Sequence, residues 1–287
     1  IMGWNIAWST LSNIPYNFAS SWTLSSIPMF LLLGFVCYHT QLTQGMFRAA
    51  RMWLSSLPGG LAIASVFGSA GFAAVSGSSV ACSAAMGRIA IPEMIKYKYN
   101  PELATGTVAV AGTIGALIPP SIIMILYGII AQVPISNLFL GGITAGLLTM
   151  IGYIAVIVIR VKINPELAPD TNEKISTSEK ILALKDTWPI FVIMLGIFGG
   201  LFSGVFTPTE AGAVGTFLAC IVALIKKTMT WKNFQIAILE TLVTTCALLI
   251  IAVGASLLTR FLALTGAGNY ISDLVIGTDA TPIIIIL

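Results

Sequence analysis

The stretch that decides the fold is LAIASVFGSAGFAAVSGSSVACSAAMGRIAIPEMI, residues Leu61–Ile95. It is rich in Gly, Ala and Ser, and its middle, Ser76-Gly77-Ser78-Ser79, is polar where a single helix would meet the lipid centre. Basic residues flank it on both sides, Arg48 and Arg51 before and Arg88, Lys96 and Lys98 at and after its end. Two short helices that enter and leave on the same side account for these features better than one crossing. They run over about Leu61–Val75 and about Val80–Ile95, each short for a hydrocarbon core of about 30 Å.

The rest of the chain supports a membrane setting. Of 287 residues, 57% are hydrophobic and 9% charged, against about 25% charged in an average soluble domain. Mean hydropathy is +0.96. Too few charges are present to coat a soluble globule, so the sequence reads as an all-α polytopic membrane protein. The net charge of +3 is too small and scattered to point to nucleic acid. Cys37, Cys82, Cys220 and Cys246 lie in apolar segments without metal spacing and read as small buried hydrophobes. With one histidine, His39, metal or histidine-based catalysis has almost no raw material.

Further spans are predicted over Trp22–Tyr38, Glu102–Ala131, Ile135–Ile159, Trp188–Phe206, Thr209–Ile225 and Phe234–Leu258. Gln41–Pro58, with Arg48 and Arg51 beside Phe47, Met52 and Trp53, reads as an interfacial amphipathic helix. Lys162–Asp186, dense in charge and holding Pro165 and Pro169, is a solvated connector between two membrane halves. If Leu61–Ile95 returns to its own side, 13 of the 14 basic residues share one face and only Arg260 lies opposite. By the positive-inside rule that face is cytoplasmic. The chain opens at Ile1 and stops within an apolar run at Leu287, and reads as an internal piece of a longer protein.

Glu102–Ala131 carries a second irregularity. Gly106, Gly112 and Gly115 lead into Pro119-Pro120. Pro120 removes a backbone donor and pushes Pro119 out of the helical region. The expected result is a broken helix, whose freed carbonyls need partners inside protein or around a cation. A plain proline kink packed on a neighbour is the other reading of the same residues. Thr207-Pro208-Thr209-Glu210 reads as a capping box opening a helix. Glu240, deeper in a span, is a candidate intramembrane charge whose partner the sequence does not reveal.

Three stretches carry a family likeness: GFAAVSGSSVACSAAMGRIAIPEM (Gly71–Met94), ATGTVAVAGTIGALIPPSIIMILYGI (Ala104–Ile129) and GLFSGVFTPTEAGAVG (Gly200–Gly215). In their order and spacing the chain resembles the large membrane subunit of tripartite ATP-independent periplasmic (TRAP) transporters. The resemblance implies an inverted-repeat, elevator-type fold of the ion-transporter superfamily. It implies scaffold and interfacial helices over 1–60, and a transport-domain hairpin, broken helix and following span over 61–162. A connector over 163–186 and the scaffold and start of a second repeat over 187–287 complete the division. A helix before Ile1 and a second hairpin after Leu287 are expected to complete the fold.

By resemblance the activity is sodium-coupled uptake of carboxylates across the bacterial inner membrane. A periplasmic binding protein delivers the acid, and a small membrane subunit is the partner. No cofactor is implied beyond sodium as the coupling ion. The candidate sodium and substrate residues are Ser76, Gly77, Ser78 and Ser79 at the hairpin tip. Gly112, Thr113, Gly115 and Pro119 form the opposing wall. The tip alone is also readable as a small-residue packing motif. No arginine lies near the hairpin tip, so backbone dipoles, hydroxyls and the second half expected after Leu287 are taken to set carboxylate specificity.

A purely structural membrane subunit would need neither a re-entrant hairpin nor a broken helix, both costly in lipid, and two functional alternatives stand beside it. One is an elevator transporter of the same superfamily that works without a binding protein. The other is an intramembrane serine hydrolase, which lacks a general base near its serines and any GxSxG. The charge distribution places Gln132–Ser136 and Arg260–Asp273 outside and Lys162–Asp186 and Lys226–Lys232 inside. Asn172→Cys is therefore expected to escape an impermeant thiol reagent in intact cells; external labelling there would overturn this topology.

Overall fold

A computed structural model describes residues 3–169, 176–268 and 270. Residues 170–175 of the connector, with Asn172, and most of the loop expected after Arg260 lie outside the described residues. All regular structure among the described residues is helical: α1 (Gly3–Ala19), α2 (Ser26–His39), α3 (Gln44–Leu54), α4 (Gly60–Ser76), α5 (Ser79–Lys96), α6 (Pro101–Gly112), α7 (Ile122–Ala131), α8 (Ile135–Ile163), α9 (Thr177–Lys185), α10 (Trp188–Phe202), α11 (Pro208–Ile225) and α12 (Trp231–Thr265). Short 3₁₀ turns lie at Trp22–Ser25, Thr113–Ala116 and Pro165–Leu167. Among the described residues four stretches are long and apolar enough to cross a membrane: Trp22–His39, α8, α11 and α12. The bent pair α9–α10 makes a fifth if taken as one span.

Two compact bodies can be distinguished, one over Trp22–Thr245 and one from residues 1–21 together with Cys246–Leu287. In the smaller, α1 stacks Trp4 on Trp8 at 6.1 Å. The larger holds everything on which the site depends.

Its centre is α4, whose residues are buried at nearly every position, including Leu61, Val66 and Phe72. A helix apolar on every face needs neighbours on every face, and α2, α3, α5, α6, α8 and α10 supply them. Its 17 residues give about 26 Å at 1.5 Å per residue. The chain reverses at Gly77, whose φ of +62° is cheap only for glycine. Ser78 then caps α5, its hydroxyl accepting from Ala81 N–H at 3.3 Å. The two helices run antiparallel: Met86 Cε lies 2.7 Å from where a Cβ on Gly68 would be, and Cys82 Sγ donates to Ser69 O at 3.4 Å.

The second irregularity is also present. Asn100 caps α6 through Glu102 N–H at 2.8 Å. Helical structure stops at Ala116 and resumes at Ile122. The Pro119–Pro120 peptide between them is cis. Ser121 restarts the chain as the cap of α7, accepting from Met124 N–H at 3.4 Å while donating to Ala116 O at 2.7 Å.

The interfacial helix α3 is clasped at both flanks. Arg51 donates to Glu93 and, at 2.6 Å, to the Tyr97 hydroxyl at the end of α5. On the α9 side Arg48 pairs with Asp186 at 3.2 Å, and Gly45 leaves no room for a Cβ against the Asp186 carbonyl. Elsewhere α11 packs closely on α2, with Thr216 Oγ1 donating to Met29 O at 2.9 Å. The connector is partly ordered, with α9 opened by a Ser176–Glu179 capping box. Cys37 and Cys82 are buried as expected, but Cys246 is exposed on α12. The expectation that all four cysteines are buried is corrected at two positions: Cys220 is only partly buried, and Cys246 lies beside the exposed Ile250 and Ile251.

The capping box at α11 forms as read. Thr207 N–H donates to Glu210 Oε2 at 2.8 Å, and Glu210 N–H to Thr207 Oγ1 at 3.3 Å. Thr207→Ala is expected to cost about 1 kcal/mol in thermal melting of the purified full-length protein. Glu210→Gln keeps the reciprocal bond and should melt like the parent; a loss equal to that of Glu210→Ala would refute a purely capping role.

Candidate functional site

The tip of the α4–α5 hairpin is seated on the break between α6 and α7. Ile122 N–H donates to Gly77 O at 3.2 Å. A Cβ on Gly77 would run into the Pro120 carbonyl. From the other side, a Cβ on Gly115 would stand 2.9 Å from Ser78 O and 3.0 Å from Ser79 Cα. Gly112 sits against Ser83, whose hydroxyl occupies the place a Cβ would take. Gly77 and Gly115 thus let backbone approach backbone, the role glycine plays where chains meet closely, and Gly112 leaves room for the Ser83 side chain.

Of the residues singled out in the sequence, Gly77, Ser78, Ser79, Gly112 and Gly115 are brought together here. Pro119 is buried in the break. Ser76 is buried with its backbone against Gly34 of α2, 2.9 Å from where a Cβ there would lie, and its hydroxyl has no hydrogen-bond partner among the described residues. Thr113 is placed differently. Its hydroxyl donates to Val110 O at 2.7 Å and meets the Tyr153 hydroxyl of α8 at 2.9 Å, so it is engaged away from the tip.

Three residues gain a place that the sequence did not suggest. Pro120 presents its carbonyl to Gly77, and Ser83 fills the notch at Gly112. Ser121 ties the two ends of the break. A serine directly after Pro-Pro and before an apolar run is the signal for such a cap. The partner of Glu240 also emerges: His39 Nε2 lies 2.8 Å from Glu240 Oε2, joining α2 to α12. The His39 carbonyl accepts from Asn233 Nδ2 at 3.3 Å. No group of three or more His, Cys, Asp or Glu suited to a transition metal exists among the described residues. What the tip offers is oxygen: backbone carbonyls and serine hydroxyls without a carboxylate, a donor set suited to a hard cation.

A helical membrane protein with a hairpin tip locked into a broken helix has the parts of a secondary transporter. The family described as Tripartite ATP-independent periplasmic transporter, DctM component, matches residues 6–287, and the chain belongs to it. Among its relatives is the C4-dicarboxylate TRAP transporter large permease protein DctM of Vibrio cholerae, 38% identical over 208 residues, covering 72% of this chain and 45% of that protein. The sialic acid TRAP transporter large permease protein SiaM of the same species is 29% identical, covering 93% and 62%. The isethionate TRAP transporter permease protein DctMQ of Oleidesulfovibrio alaskensis is 28% identical, covering 96% and 44%. The chain spans about half the length of the curated relatives it matches. These relatives are transport proteins, which removes the hydrolase alternative.

The Gly112–Ser83 contact is open to a compensation test. Gly112→Ala alone is expected to lower the melting temperature, because Ser83 Cβ and Cα lie 2.9 and 3.1 Å from the new methyl. Adding Ser83→Gly should recover most of the loss, a coupling of about 0.5–3 kcal/mol for touching residues. Strictly additive losses would mean that the two positions do not touch.

Proposed function

We propose that this chain forms part of the large permease of a sodium-coupled TRAP transporter that imports organic anions across the bacterial inner membrane. A periplasmic binding protein delivers the anion, and a small membrane subunit accompanies the permease. In this reading α4 and α5 form a re-entrant hairpin of the moving transport domain over 61–162. The helices of 1–60 and 187–287 belong to the scaffold of an inverted-repeat elevator fold, joined by the connector over 163–186.

The observation that carries the reading is the fit of the hairpin tip on the helix break. Gly77 and Gly115 remove the atoms that would keep Pro120 and Ser78 carbonyls apart from the facing backbone. The buried Ser76 hydroxyl has no hydrogen-bond partner among the described residues. Unwound backbone at membrane depth is tolerated where it lines a site rather than lipid, and sodium binds through oxygen. The start of α5 directs its N–H groups toward the same place, which favours an anion.

The test is uptake of succinate, sialic acid and isethionate against sodium concentration. It uses proteoliposomes with the full-length protein, its small subunit and its binding protein, normalised to inserted protein. Gly77→Val or Gly115→Val should abolish sodium-driven uptake. Ser79→Ala should raise the sodium half-activation constant by up to about tenfold, the equivalent of a ligand worth about 1.4 kcal/mol. Thr113→Ala should matter less, because its hydroxyl serves Val110 and Tyr153. Normal insertion with unchanged sodium dependence in both glycine variants would place the ion elsewhere.

A further inference from the structure

Another face of α5 lines a second feature. Val80, Ala84 and Arg88 recur every four residues, so they share one side of the helix, and all three are exposed. They form one wall of a cavity of about 450 Å³, within the size range of small-molecule sites. Phe35 and Tyr38 of α2 and Glu240 of α12 make the other wall, and Ser78 of the hairpin tip also lines it. Ser78 and Arg88 are ten positions apart, about 15 Å along a helix. The cavity therefore runs from the proposed ion site along α5, and an arginine distant from the tip in sequence belongs to the same opening.

Arg88 is the cationic group on that wall. Its guanidinium carbon stands 6.0 Å from the Tyr38 ring centroid. Tyr38 is itself held by edge contacts with His39 at 5.0 Å and Phe72 at 6.3 Å. No carboxylate lies within ion-pair distance of Arg88 among the described residues. The one acid in the cavity, Glu240, is engaged by His39 at 2.8 Å. A cation–π contact at that distance engages the guanidinium as a charge and leaves its fork of N–H donors available. That fork matches a carboxylate in bidentate fashion.

We propose that this cavity is an organic-anion subsite in which Arg88 takes the carboxylate or sulfonate of the transported molecule and Tyr38 positions the guanidinium. The proposal rests on the reading of the protein as an organic-anion transporter and adds a station to it. A four-carbon acid is too short to touch the tip and Arg88 together, so the two act in succession along one path.

The test is a thermal-shift titration of the purified full-length protein and its small subunit at saturating sodium, with succinate, sialic acid and isethionate as probes. Arg88→Gln should weaken binding of the responding anion about tenfold and leave the sodium titration unchanged. Arg88→Lys keeps the charge without the fork and should weaken it about threefold. Tyr38→Phe keeps the stacking face and should bind like the parent, whereas Tyr38→Leu should approach Arg88→Gln. Parent-like anion binding by Arg88→Gln would overturn the proposal, as would an equal loss of sodium response. If Arg88→Gln does not insert, parent-like binding by Arg88→Lys overturns it instead. If the parent shows neither a shift with any probe nor sodium-driven uptake, the transporter reading itself falls. Uptake with an indifferent Arg88 removes only the subsite.

Discussion

The contact between Gly77 and the Pro120 carbonyl is the constraint on which the rest of this molecule depends. A hairpin of two helices, each shorter than the hydrocarbon core is thick, leaves polar backbone at its tip, and lipid offers that backbone nothing. A proline-broken helix has the same defect in its middle. Seated on each other, each covers the exposed backbone of the other: Ile122 N–H bonds Gly77 O, and Ser121 closes the gap to Ala116. A side chain at residue 77 would run into the Pro120 carbonyl and would also have to be carried at the positive φ of this turn, which residues with a Cβ resist. The burial of α4 follows from this. To bring its end to the break, α4 must pass through the middle of the body, where Gly, Ala and Ser dominate beside a few aliphatics, Phe67 and Phe72, between six neighbouring helices.

Polar contacts then fix what apolar packing leaves free to slide. Packing in lipid is weakly directional, since the solvent is as apolar as the side chains. His39 and Glu240 supply direction between α2 and α12. Arg51, Glu93 and Tyr97 do the same between α3 and α5, where the guanidinium also lies 5.0 Å from the Tyr97 ring centroid. Thr216 and the Met29 carbonyl register α11 on α2. Each of these links joins elements far apart in sequence, so each sets a position rather than a local conformation.

That distinction explains what the sequence disclosed. Period, length and punctuation are local, and they place α4, α5, α8, α11 and the α6–α7 break within a few residues. The polar Ser76–Ser79 run and the paired prolines announce their own departures from helix. The facing of Gly77 to Pro120, and of Gly112 to Ser83, was only implied by pairing one irregular segment with the other. Thr113 shows the limit. A hydroxyl in a glycine-rich break suggests a ligand, yet the turn of the 3₁₀ segment aims it at Tyr153, forty residues away. The His39–Glu240 pair, 201 residues apart, left no local signal at all. Helix α1 was likewise unmarked, because it has no acidic residue in its first turn and no basic residue in its last.

The two faces of α5 suggest how one short helix links two ligands on the proposed reading. Ser79 and Ser83 recur at a spacing of four, with Ser79 Cα against Gly115 and the Ser83 side chain against Gly112; Val80, Ala84 and Arg88 are the neighbouring stripe, lining the cavity with α2 and α12. A helix is stiff along its length, so α5 cannot shift against the break at one face without shifting its other face relative to Tyr38. A cation that draws the tip onto Pro120 and Gly115 would therefore fix the width of the cavity that holds Arg88. Binding at either face then favours the geometry the other needs, and by linkage that preference is reciprocal. No relay of side chains is required. On that reading the coupling would reside in the rigidity of the helix and in Gly77 and Gly115, which let its tip sit against the break.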